Sequence, residues 1–114
     1  MIDLLVSTLS KLGLPVFRQG SLTEDGEYPS AFYTFWNPRS EGQSFYDNKE
    51  TSLTWEFIVY YYTNNANTLE DGLNNAIDEL RKADFIIGGK GFDVGSDEIT
   101  HVGRAVRISK IERS

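Results

Sequence analysis

Between residues 53 and 63 the chain alternates apolar and mixed side chains, and this alternation constrains the fold more than any other feature. Leu53, Trp55, Phe57, Val59 and Tyr61 share one face of an extended segment. Thr54, Glu56, Ile58, Tyr60 and Tyr62 share the other. Successive strand side chains point to opposite faces, so the odd face is expected to meet a core. The even face is expected to be partly wet or to contact a partner. At about 3.3 Å per residue the strand runs roughly 35 Å, long for a small domain. A strand with one apolar face needs neighbours in a sheet and a layer to cover it.

The flanking segments supply candidates for both. Ile2, Leu5, Leu9 and Leu12 recur at helical spacing, with Asp3 near the start and Lys11, Gly13 and Pro15 at the end. Val16–Arg18 reads as a short strand and residues 20–29 as a solvated loop. Ala31-Phe32-Tyr33-Thr34-Phe35-Trp36 is a strand ended by Asn37-Pro38. Residues 37–50 read as a long polar loop, and Tyr60 and Tyr62 are expected to stay outside the core. A second helix starts at Thr68, a good N-cap, and carries the stripe Leu69, Leu73, Ala76, Ile77 and Leu80 before Arg81 and Lys82. Gly72 within it costs about 1 kcal/mol against alanine. Phe85–Ile87 reads as a short strand, residues 88–99 as a glycine-rich loop, and residues 100–111 as a final strand. The fold class expected is α+β: a mainly antiparallel sheet of four to five strands with two helices packed on one face, in the order α-(β)-β-β-α-β-β. At 114 residues the chain supports a single domain spanning 1–114.

Composition excludes several chemistries. There is no cysteine, so disulfide scaffolds, thiolate metal sites and cysteine nucleophiles are out. The single histidine, His101, excludes two-histidine metal motifs and leaves a serine triad one possible base. No apolar run approaches the roughly 20 residues that span a bilayer, and the first residues lack a signal-peptide pattern, so an intracellular chain with no membrane contact is expected.

The remaining constellations read as structural. Gly88-Gly89-Lys90-Gly91 lacks the Ser or Thr and the helix that a phosphate loop needs. Asp93, Asp97 and Glu98 are dense enough in oxygens to suggest calcium but do not follow EF-hand order. Acid pairs such as Asp78-Glu79 have the character of solubilising charge. No catalytic, cofactor-binding or metal-binding residues are assigned, no cofactor is expected, and the chain is read as not an enzyme.

Charge and aromatics point instead to contact surfaces. The net charge is -6, yet residues 101–114 hold Arg104, Arg107, Lys110 and Arg113 against Glu112 alone. On a strand these cations alternate between faces. They read either as edge protection or as a contact with an acidic neighbour. Aromatics make up 13% of the chain, and Phe45, Tyr46, Tyr60 and Tyr62 are the ones the pattern leaves outside the core.

Word-like matches then appear along nearly the whole chain. They are Pro15-Val16-Phe17-Arg18-Gln19-Gly20, Tyr28-Pro29, Phe32-Tyr33-Thr34-Phe35-Trp36-Asn37 and Tyr46-Asp47-Asn48. Trp55-Glu56-Phe57, Gly89-Lys90-Gly91-Phe92-Asp93, Ser96-Asp97-Glu98 and His101-Val102-Gly103-Arg104 continue the series. In these the chain resembles small structural proteins of tailed phages and prophages of Gram-positive bacteria. Its element order is similar to that of the long-tailed phage tail terminators, or tail-completion proteins.

That resemblance implies a homo-oligomer, a hexameric ring, that caps the tail tube and joins it to the head. Its partners would be the major tail (tube) protein and the head connector or head-closure protein. Genomic DNA would pass through without sequence-specific binding. The location would be the virion tail or neck, and the host cytoplasm during assembly. Phe45, Tyr46, Asp47, Arg104 and Arg107 are the residues expected at subunit or partner contacts. The alternatives are a head-closure or connector-adaptor protein of the phage neck and, from another class, a small metal- or ligand-binding domain using the acidic 93–98 loop.

Overall fold

The computed structural model describes residues 2–18, 30–39, 52–95 and 101–113. The elements are α1 (Ile2–Ser10), β1 (Val16–Arg18), β2 (Ala31–Arg39), β3 (Ser52–Thr63), a 3₁₀ turn (Ala66–Thr68), α2 (Leu69–Lys82), β4 (Ile86–Val94) and β5 (Val102–Arg113). The chain is α+β, and the described residues form two helices and one five-stranded mixed sheet in the order β1-β2-β3-β5-β4. β1 runs parallel to β2, and the other three neighbouring pairs are antiparallel.

The odd face of β3 meets the core as the alternation requires. Phe57, Val59 and Tyr61 pack with Tyr33 and Phe35 of β2, Val106 and Ile108 of β5, and the buried leucines of both helices. The stripe on α2 buries Leu73, Ala76, Ile77 and Leu80, and that on α1 buries Leu5 and Leu9. Both helices therefore share the layer over the odd face. Lys110 ties the C-terminal end of α2 to β5. Its Nζ donates to the Ala83 carbonyl at 3.1 Å and lies 5.5 Å from the Phe85 ring centre. A cation there also meets the negative end of the helix dipole.

Several local expectations are corrected. Asn37-Pro38 does not end β2, which continues to Arg39 through a register shift after Trp36. α1 stops at Ser10, short of Leu12. Thr68 occupies the N-cap position of α2 but makes no side-chain cap bond. Its hydroxyl donates to the Asn65 carbonyl, because a 3₁₀ turn precedes the helix and satisfies the entry differently. The short strand at 85–87 and the glycine loop after it are one strand, β4, reaching Val94. Gly88 pairs with Arg107 and Phe92 with Ala105, so four steps of β4 oppose two of β5. Residues 89–91 form a bulge, and Gly89 (φ 107°) and Gly91 (φ 96°) supply the left-handed backbone it needs. Tyr62 is buried despite lying on the even face. Its ring lies over Gly103, where a Cβ would come within 2.6 Å of it, and stacks on Phe32 at 5.3 Å.

One buried phenol couples this packing to pH. Tyr33 is 1% exposed, and its hydroxyl donates to the Gly72 carbonyl at 2.7 Å. Burial first, and the neighbouring Tyr61 second, push its pKa well above the ordinary value near 10. The unfolded chain loses this proton near pH 10, whereas the folded chain keeps it. The stability it contributes is therefore fully present below pH 10. It falls above that by up to about 1.4 kcal/mol per pH unit until the folded phenol itself ionises. Tyr33→Phe is expected to lose about 1 kcal/mol at neutral pH and to flatten the alkaline decline. Urea unfolding midpoints measured from pH 8 to 11.5 check both effects.

No helix among the described residues is long and apolar enough to cross a membrane.

Candidate functional site

The sheet has a second face, opposite the helices, and register places its rows. One row runs Phe17, Thr34, Tyr60, Ala105, Phe92 across all five strands. The next runs Trp36, Ile58, Arg107, Gly88 across β2, β3, β5 and β4. Beyond it lie Glu56, Ser109 and Ile86, then Thr54 and Ile111.

The face divides into a closed and an open part. At the closed end Phe32, Tyr62 and His101 are buried, and the Phe32 ring centre lies 5.9 Å from those of both Phe17 and His101. His101 is thus part of an aromatic cluster, in keeping with a structural histidine. At the open end Trp36 is 47%, Phe92 43%, Ile86 56% and Ile111 43% exposed. These are four of the six large apolar side chains most exposed among the described residues. Grouped apolar exposure on one flat face is the pattern of a contact surface, whereas scattered single residues are ordinary. Arg107 stands exposed within this face, and Tyr60 is half-buried beside it.

The other predicted sites fall elsewhere. Arg104 is on the helix side of β5, and its guanidinium is spent inside the chain. Nη1 donates to Asp93 Oδ1 at 2.8 Å, and Nη2 to the carbonyl of Lys90 at 3.3 Å. Arg104 therefore braces the β4 bulge, and the structure does not bring it together with Arg107. The Asp93 carboxylate is largely exposed and accepts from Arg104. Asp97 and Glu98 lie outside the described residues, as do Phe45, Tyr46 and Asp47. Among the described residues no three His, Cys, Asp or Glu side chains group as a metal site.

No protein-family model matches the chain, and no curated protein matches it.

The bulge also forms one wall of a cleft that the sequence reading missed. A cavity of about 490 Å³ lies between α2 and β4, lined by Glu70, Asn74, Ile77, Asp78, Arg81, Gly89, Lys90 and Arg104. Glu70, Asn74 and Asp78 recur every four residues, which puts them in one row along α2. Lys90 and Arg104 face them from the sheet side. Among the described residues Glu70, Asp78, Arg81 and Lys90 close no ion pair. Opposite charges thus share one cleft without joining. The signal was weak in sequence because residues 70–81 and 89–104 meet only through the fold.

Proposed function

We propose that this chain is a structural assembly subunit, the tail terminator of a long-tailed phage or prophage, working as a homo-oligomeric ring. The ring caps the tail tube and joins it to the head connector, and its mechanism is non-covalent docking. The word matches along the chain support the family. The observation that carries an assembly role is the sheet face opposite α1 and α2, where Trp36, Phe92, Ile86 and Ile111 are each more than two-fifths exposed.

The physics of that face favours association. Fully burying a large apolar side chain stabilises by about 1.5–3 kcal/mol, and aromatic residues dominate interface energetics. Arg107 at its centre adds a planar donor suited to interfaces. Ring neighbours meet head to tail, so each subunit needs two different complementary surfaces. The open sheet face is offered as one of them.

Negative-stain imaging tests the reading, using the purified chain alone and mixed with tail tubes from the same genome. Rings, or a cap at one end of the tube, are expected. A chain that stays monomeric and ignores tubes removes the tail-terminator reading.

A further inference from the structure

The open sheet face has features that select its occupant. Its exposed apolar side chains call for an apolar counterpart, and the other exposed large apolar residues, Leu4 and Val102, lie off this face on α1 and at the start of β5. The surface of this chain that best matches the face is therefore the face itself. Its charges fit the same occupant. Register sets Ile58 opposite Arg107 and Glu56 opposite Ser109, so Glu56 and Arg107 are diagonal neighbours near its centre. Arg107 is exposed and closes no ion pair among the described residues. Register also sets Arg39 beside Glu56, and the two oxygens of a carboxylate accept from more than one donor.

We infer that this face binds the same face of a second copy, so that the free chain is a two-fold dimer packed sheet on sheet. In a two-fold contact a patch meets itself, and every pair it makes is made twice. Placing Arg107 over the partner's Glu56 thus forms the same ion pair on both sides of the axis. That axis crosses the Glu56–Arg107 diagonal at right angles. With strands about 4.8 Å apart and same-face residues about 6.7 Å apart, it runs from Trp36 past Ile58 to Ile86. Each of these three apolar residues then meets its own counterpart. The strands of the two copies cross steeply, as in the orthogonal class of sheet packing.

The size of the face sets the strength of the contact. From β2 to β4 and from Ala105 to Ile111 it measures roughly 20 Å by 25 Å. Two such footprints bury about 1,000 Å² or slightly more, the low end for specific association, so dissociation in the micromolar range is expected. The inference goes beyond the ring reading and describes the chain before assembly. A face covered by its own copy cannot also meet a ring neighbour or a tube, so the dimer opens when the chain caps a tube.

Analytical ultracentrifugation of the full-length chain over a concentration series tests the dimer. The mass is expected to rise from one chain to two and stop there. Arg107→Glu sets carboxylate against carboxylate at both contacts, and Glu56→Arg sets cation against cation. Each is expected to weaken the dimer by about tenfold or more. An equimolar mixture of the two variants restores both pairs in a mixed dimer and should recover the parent affinity. Cooperative thermal melts show that the variants are folded. A second readout needs no variant: isotope-filtered NMR on mixed labelled and unlabelled parent should show Trp36 against the partner's Trp36 and Ile86 against the partner's Ile86. A parent that stays at one chain's mass up to roughly 1 mM overturns the dimer. So does a mixture no tighter than its components, or intermolecular contacts confined to other surfaces. Tubes capped by a chain that never dimerises overturn the dimer and leave the ring reading intact. A dimer that ignores tubes keeps this inference and removes the ring.

Discussion

Gly72→Ala is expected to lower the melting temperature, although alanine in a helix interior is normally better than glycine by about 1 kcal/mol. Gly72 is buried on the face of α2 that meets β3. A Cβ there would fall on Cε2 and Cζ of the Tyr61 ring. The ring has little room to retreat: Tyr61 is 4% exposed and lies 5.1 Å from the Tyr33 ring. Tyr33 is in turn held by its bond to the Gly72 carbonyl. Helix, strand and phenol therefore close on one another around a missing side chain. Overpacking of this kind costs about 1–3 kcal/mol, and the rigidity of the ring favours the upper part of that range. After the gain in helix propensity, a net loss of about 2 kcal/mol remains, or roughly 6–10 °C for a chain of this size. Thermal unfolding followed by circular dichroism measures it. Combining Gly72→Ala with Tyr61→Leu should cost less than the two changes added, since the shorter side chain vacates the contact. A higher melting temperature for Gly72→Ala alone would mean that α2 does not approach β3 this closely.

The same glycine shows where sequence reasoning stops. Local pattern was enough for β3, because alternation with a period of two leaves only one way to bury Phe57, Val59 and Tyr61. It was enough for α2, whose stripe, acidic first turn and basic last turn agree. Gly72 read as a small local penalty, since nothing nearby in sequence announces Tyr61. Gly88–Gly91 read as a loop because glycine is a loop former by composition, yet the bulge uses Gly89 and Gly91 to keep the strand going. The parallel pairing of β1 with β2 has no local signature. The mixed even face of β3 was visible as a possible contact surface. Its division into a closed aromatic end and an open apolar end was not, because Tyr62 depends on Gly103 across the sheet. Sequence set Arg104 and Arg107 on opposite faces of a strand but not which face would meet the helices or a partner. One braces a bulge and the other stands exposed on the opposite face, a difference set by strand parity and by what β4 offers as acceptors.

Trp36→Glu combined with Phe92→Glu is expected to abolish assembly while leaving a folded monomer. Both side chains are more than two-fifths exposed, so the free chain should lose only about 1 kcal/mol for each change. In an assembled ring the situation reverses. Truncating a single aromatic anchor at an interface can cost 2 kcal/mol or more, about thirtyfold in affinity. An unpaired carboxylate buried in its place adds a desolvation penalty of several kcal/mol. Register sets Trp36 on β2 and Phe92 on β4 three strands apart, roughly 14 Å, so the two changes span the open face. Leu4→Glu provides the comparison. Leu4 is 38% exposed on α1, away from that face, and the substitution adds one carboxylate against the two of the double variant. Sedimentation velocity and imaging with tail tubes should find the Leu4 variant assembling and the Trp36/Phe92 variant not, with both still unfolding cooperatively well above the assay temperature. If both variants fail, the loss reflects added charge and not the face. If the double variant still caps tubes, subunits do not meet through the side of the sheet opposite α1 and α2.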